Sequence, residues 1–376
     1  MAARCSARPP GLAMHVAARI GSPVGPAGRF GFSASAGPQP AEVVERITDA
    51  CRVPHRSILA LPFTSPEYRA IQAGVDRLLR QLLAVPDDFD ILFMGCGASA
   101  HFALVPLNLL GGRERALHVL SGHWSRRAIV EARRYCNVSV LSAAEAIVAA
   151  PAPDGAAYCH YTSNETADGL QFHRLPATPL PLVADMTSDL LTATPDWKRF
   201  GLVYAGAQKT LGVAGLSIVI VRRDLLGPPH PLTPRVMAYA ALSAAASRLC
   251  TPPVFAMFAA LCMLEWMAGE GGVGSMQARL ARRAAAVYAV IDRHPGFYRP
   301  RVDVAWRSRV TPCFDLPDAA RTARFIAAAQ AAGLYDLAGH PDVGGVRVSL
   351  YNGLSDDAVD ALAAFMHDYA QRGGLA

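Results

Sequence analysis

At 376 residues, with 52% hydrophobic and 18% charged side chains, the chain can bury a sizeable core and is too apolar to be a disordered polymer. Its net charge of +6 is spread over scattered arginines and short pairs such as Arg126-Arg127, Arg133-Arg134 and Arg282-Arg283, which excludes a nucleic-acid stripe and suits a small anionic substrate. The longest apolar helical stretch, 254–267, contains Glu265 and is too short for a bilayer, and the eight cysteines form no CxxC pair, so a soluble, cytoplasmic protein with free thiols is expected.

In chain order, residues 1–28 are rich in Ala, Arg, Pro and Gly and carry no acidic side chain. Prolines at 9, 10, 23 and 26 oppose an amphipathic helix there, so a disordered extension is expected. From about residue 85, apolar strands at 90–94, 116–120, 138–141, 156–161, 182–185, 202–205 and 218–221 are spaced by turns and by helices at 100–110 and 125–135. This alternation predicts an α/β fold on a mostly parallel sheet flanked by helices, with ligands at the carboxyl ends of its strands. Two long helices follow at 255–270 and 273–292, then a strand at 310–316, a helix at 319–332, a strand at 346–350 and a helix at 356–372. The expected division is a large domain over 29–270 and a smaller C-terminal α+β domain over 271–376.

The turn Tyr204-Ala205-Gly206-Ala207-Gln208-Lys209-Thr210-Leu211-Gly212-Val213-Ala214-Gly215 sets one lysine between two buried strands. Glycines at 206, 212 and 215 are expected to let the backbone approach a ligand and take positive φ. A desolvated lysine loses its proton more readily and can attack a carbonyl to form a Schiff base, and the common aldehyde partner is pyridoxal phosphate. That cofactor needs a carboxylate at its ring nitrogen, and Asp185 ends the strand run 182–185. The small residues Gly95-Cys96-Gly97-Ala98-Ser99 open a helix after a strand, as a phosphate cradle does. Trp124 follows a further strand end and could stack on an aromatic ring, and Thr166 lies in a polar loop after another.

The order and wording of these elements resemble the phosphoserine aminotransferases, of the class-V, fold-type-I aminotransferases. The resemblance runs from about residue 30 to 373 and is carried by "SAGP" at 35–38, "HR" at 55–56, "HYTSNETADG" at 160–169, "VADMTSDLLT" at 183–192, "YAGAQKTLGVAGL" at 204–216, "TPP" at 251–253 and "VGGVRVSLYNGL" at 343–354. It implies a seven-stranded-type sheet and pyridoxal 5'-phosphate as cofactor. It also implies amino transfer between L-glutamate and 3-phosphohydroxypyruvate, for serine and in part pyridoxine biosynthesis, in a homodimer with shared active sites. Lys209 then resembles the Schiff-base lysine, Asp185 the pyridinium partner and Trp124 the stacking residue. Ala98, Ser99, Thr166 and Gln208 match cofactor-holding positions, with Cys250 and Thr251 supplied by the neighbouring subunit. His55, Arg56, His340 and Arg347 match substrate-anion positions.

Three departures bear on the substrate. Cys250 stands where the family has Asn, Pro341 where it commonly has Arg, and Ser99 where some members carry Arg, while Asp342 adds a negative charge. Loss of one charge-assisted phosphate contact is expected to cost about 1.5–3 kcal/mol. A paralogous aminotransferase with an unphosphorylated 2-oxo acid acceptor is the second expectation, and a catalytically silent binding subunit the third.

Overall fold

The computed structural model describes residues 29–374; the expected N-terminal extension lies outside them. Seven strands form the central sheet: β1 (Phe89–Met94), β2 (Arg115–Leu120), β3 (Asn137–Ser142), β4 (Ala156–Thr162), β5 (Leu182–Asp185), β6 (Phe200–Gly206) and β7 (Ser217–Arg222). Their order is β1-β7-β6-β5-β4-β2-β3. Only β7 runs antiparallel to its neighbours.

Both sheet faces are buried except at the edge strand β3, which is why the other strands read as near-continuous apolar runs. On one face Phe93, Val119, Tyr161, Ala184, Val203 and Ile218 pack against helices α2 (Pro66–Leu83) and α7 (Val254–Gly269). On the other, Leu92, Tyr158, Val183, Tyr204 and Val219 pack under α3 (His101–Leu109) and α4 (His123–Ala132). Helix α1 (Ala41–Arg52) leans on α7 through Val43, and the short α5 (Ala143–Val148) and α6 (Tyr239–Ala244) cover the sheet margins. Helix α2 starts where Ser65 caps the Tyr68 amide with Pro66 in the first turn, and ends on Ala84 in the left-handed region.

A second core gathers around α8 (Gly272–Arg293), α9 (Ala319–Ala331), α10 (Asp356–Gln371) and an antiparallel sheet of β8 (Arg299–Pro300), β9 (Cys313–Asp315), β10 (Ala338–His340) and β11 (Gly344–Arg347). The two cores divide the chain differently from the sequence expectation. Helix α8 serves both, with Val273 and Met276 in the first core and Leu280 to Ile291 in the second. Phe30–Gly31, expected with the large domain, pairs with Leu334–Tyr335, and Phe32 is buried in the second core. The physical reason is that a short strand pairs with whatever free strand lies within its reach, here forming a separate two-stranded ribbon, wherever it lies in sequence. The strand expected over 310–316 shortens to β9.

Candidate active site

Strands β4, β5 and β6 are parallel, so Thr162, Asp185 and Gly206 finish at one edge of the sheet, beside a cavity of about 430 Å³. Lys209 enters it from the β6–β7 turn. That turn is closed by the Ala207 amide on the Leu216 carbonyl (2.9 Å) and the Gly212 amide on the Ala207 carbonyl (2.8 Å). The N-terminal segment crosses over it: the Gly37 amide donates to the Gln208 carbonyl at 2.8 Å, and a side chain at Gly37 would strike the Lys209 carbonyl oxygen. The glycines of the turn act differently from expectation. Only Gly215 has positive φ, while Gly212 packs against the backbone of α7 at Ala260 and Gly206 lies under the Gln208 side chain.

Lys209 is 9% exposed and has no carboxylate partner in salt-bridge range among the described residues. Its Nζ reaches the Thr166 hydroxyl at 3.4 Å and stands 5.7 Å from the centre of the Trp124 ring. Burial pushes its pKa from 10.5 down to about 8, against the pull of the Asp185 charge. Asp185 is 6% exposed on the same cavity wall. Its Oδ1 accepts from the Thr187 amide (3.0 Å) and hydroxyl (2.6 Å), and burial holds its pKa above the ordinary carboxylate value. A buried amine and a buried carboxyl thus share a cavity without meeting, which suits a flat group that offers a carbonyl carbon to one and a basic ring nitrogen to the other.

Trp124 lines the cavity from the first turn of α4. Gly122 offers no side chain to cap that helix, and Glu165 does so from the loop after β4, accepting from the Trp124 amide (2.8 Å), the Ser125 amide (2.9 Å) and the Ser121 hydroxyl (3.1 Å). Asp168 accepts from the His123 amide at 2.8 Å. A Cβ at position 122 would run into both carboxylates, so glycine is required there. Thr166 itself is fully buried behind the wall, where it accepts from Trp124 Nε1 (3.0 Å) and so joins the ring to the lysine.

Ala98, Ser99 and Gln208 line the same cavity, and its far rim is formed by His340, Pro341 and Arg347. Arg347 Nε is tied to the Ala338 carbonyl at 3.1 Å, and burial lowers its pKa. The Asp342 carboxylate lies 3.8 Å from Nδ1 of both His340 and His123, and is itself 71% exposed.

Residues 30–362 match the family model described as Aminotransferase class-V. The phosphoserine aminotransferase of Laribacter hongkongensis is 42% identical over 327 residues, covering 85% of this chain and 91% of the relative. The solved phosphoserine aminotransferase of Bacillus circulans subsp. alkalophilus is 34% identical, covers 91% of this chain and 98% of its own, and superposes with a TM-score of 0.85. The PLP-bound enzyme of that name from Trichomonas vaginalis is also 34% identical, with coverage of 90% and 99% and a TM-score of 0.83. The chain belongs to the phosphoserine aminotransferases. The fold-type-I architecture expected from the sequence follows with that family.

As a phosphoserine aminotransferase, the chain brings nine of its sequence-predicted residues to or directly behind one cavity: Ala98, Ser99, Trp124, Thr166, Asp185, Gln208, Lys209, His340 and Arg347. Four others do not line it. His55 and Arg56 are exposed on the turn after α1, and Cys250 and Thr251 are exposed on the loop before α7. Sequence reasoning missed Glu165, Asp168 and Thr187. Their signal was adjacency, since each is within two residues of a residue that was singled out.

Proposed function

We propose that this chain transfers an amino group between L-glutamate and 3-phosphohydroxypyruvate, giving O-phospho-L-serine and 2-oxoglutarate for serine biosynthesis. The observation that carries the proposal is the pair Lys209 and Asp185, both buried on one cavity without a salt bridge among the described residues, in a chain of this family.

Pyridoxal 5'-phosphate, when bound, supplies an electron sink that acidifies the α-carbon proton of an amino acid. Lys209 would hold the cofactor through its aldehyde carbon and, as a free amine, would serve as the base that takes the substrate α-proton and, as its conjugate acid, delivers it to that same aldehyde-derived carbon. An amine held near pKa 8 is suited to both directions. Asp185 would keep the ring nitrogen protonated, Trp124 would pack on the ring, and Ala98, Ser99 and Gln208 would hold the phosphate end. Arg347 takes the substrate α-carboxylate through its free guanidinium edge, the Ala338 bond fixing the plane. His340 faces the distal anion.

The four residues outside the cavity support a homodimer with shared active sites, in which Cys250, Thr251, His55 and Arg56 of one chain complete the site of the other. Seven free thiols among the described residues, with no disulfide, support a reducing compartment such as the cytoplasm. No single described helix is long and apolar enough to cross a membrane.

A second reading is favoured by one observation: Pro341 and Asp342 put no charge and a negative charge at the rim beside His340. An unphosphorylated 2-oxo acid would be the acceptor in that case. Half-reactions of the loaded enzyme with phosphoserine, serine and a panel of amino acids decide between them. Phosphoserine is expected to be the best donor by orders of magnitude; equal rates with serine would overturn the first reading, and no half-reaction with any amino acid would overturn both.

A further inference from the structure

The loop after β1 lines the cavity with Gly97, Ala98 and Ser99, while Cys96 just before them and His101 just after them do not line it. Both of these flanking side chains reach one hydroxyl. Ser217 Oγ lies 2.8 Å from His101 Nε2 and 3.2 Å from Cys96 Sγ. Ser217 is the first residue of β7, paired with Met94 at the end of β1 and with Gly206 at the end of β6. It therefore sits where the Ala98 loop leaves one strand and the Lys209 turn leaves another.

His101 and Ser217 are both 0% exposed, and the buried Tyr239 brings its hydroxyl within 2.8 Å of His101 Nδ1. Buried polar groups are costly unless partnered, so the direction of each bond matters. Burial drives the His101 pKa down to about 3, leaving a neutral ring with a single N–H. Nδ1 is the one partner of the Tyr239 hydroxyl among the described residues, so that hydroxyl donates to it. Nε2 then carries the ring proton and donates to Ser217 Oγ, whose own proton is free for Cys96 Sγ. The reverse assignment would leave the Tyr239 proton buried without an acceptor. Pinned at both flanks, the loop loses its freedom before any ligand arrives, which is preorganisation.

We infer that Ser217 and His101 are positioning residues for the cofactor's phosphate: one buried hydroxyl ties both flanks of Gly97-Ala98-Ser99 to the head of β7 and so fixes that loop relative to the Lys209 turn. The inference rests on the reading of the loop as the holder of the cofactor's phosphate end.

The test is equilibrium titration of apoenzyme with pyridoxal phosphate and, separately, with pyridoxal, which offers the same aldehyde and ring without the phosphate, on wild type, Ser217→Ala, His101→Leu and His101→Gln. Ser217→Ala and His101→Leu are expected to weaken pyridoxal phosphate by about tenfold, the upper range for neutral hydrogen bonds, and to leave pyridoxal within about twofold. His101→Gln, whose amide N–H can reach the same hydroxyl, is expected to recover most of the loss. Ser217→Ala with wild-type affinity for pyridoxal phosphate would overturn the inference. An equal loss for pyridoxal would overturn it too, because the tie would then serve the Lys209 turn or the fold at large, and so would His101→Gln and His101→Leu behaving alike. If wild-type apoenzyme binds pyridoxal as tightly as pyridoxal phosphate, the reading of the loop fails and the inference with it; if wild type prefers the phosphate and Ser217→Ala keeps that preference in full, the tie alone fails. Apoenzyme melting separates these outcomes from misfolding, and Ser217→Ala, which removes a single oxygen, keeps the test open if His101→Leu does not fold.

Discussion

The two ends of the cavity are built by different rules. At the β5–β6 end, Lys209 and Asp185 are buried, and Trp124 is fixed by the Glu165 cap and the Thr166 hydroxyl. Every group that positions them belongs to this chain. At the rim, Pro341 and Asp342 are exposed, and four expected contributors do not line the cavity. Burial makes the first end insensitive to solvent and intolerant of substitution, whereas the rim is left to charge and salt to tune.

Lys209→Ala should give the largest effect, because it removes the one buried amine of the cavity. Loss of proton transfer alone is worth about 10²–10⁴-fold in kcat. The visible absorbance of the loaded enzyme should vanish with it, and a retained band would break the assignment of this end.

Arg347→Lys comes next. A point charge replaces a planar fork, and the Ala338 tie that orients it is lost, so KM for glutamate should rise by about 10–150-fold with little change in cofactor affinity. Steady-state kinetics beside an apoenzyme titration separates the two ends directly. A fall in cofactor affinity of the same size would show that the rim and the buried end act as one unit.

The pH dependence of cofactor capture by apoenzyme sharpens the buried end without a mutation. Lys209 has its folded pKa depressed to about 8, so the neutral, attacking amine grows as pH rises through that value and is nearly complete above it. The capture rate should fall about tenfold per pH unit below 8, consistent with a single titrating amine. A rate still climbing at pH 10 would mean that Lys209 keeps its ordinary pKa.

Much of this contrast was legible in the sequence. Six of the seven strands were readable because they are buried on both faces and so rich in apolar residues, the edge strand β3 being half-exposed and alternating, and Lys209 and Asp185 stand at strand ends where a parallel sheet gathers its ligands. Glu165 was not readable: "TSNETADG" has the composition of an exposed turn, and only the packing of α4 over it makes that loop buried. Gly37 was quoted within "SAGP", but its reason is a crossing over Lys209 from 172 residues away in sequence, which no local pattern contains. The second core took Phe30 and Phe32 for the same kind of reason: pairing with Leu334–Tyr335 is a property of the assembled fold.

The smallest effect is the most telling about the rim. Asp342 is 71% exposed and 3.8 Å from the His340 imidazole, so its repulsion of a substrate phosphate acts largely through water, where two unit charges at about 4 Å interact by about 1 kcal/mol. Asp342→Asn should therefore lower KM for phosphoserine by no more than about fivefold at low salt, leave serine unchanged, and lose its effect as ionic strength rises. The backbone offers the opposite outcome. The Asp342 amide donates to His340 Nδ1 at 3.2 Å, and this bond survives the substitution, so His340 keeps its orientation and only the charge is removed. A rise in KM for phosphoserine would then mean that the carboxylate helps binding, its charge opposing the burial that lowers the His340 pKa.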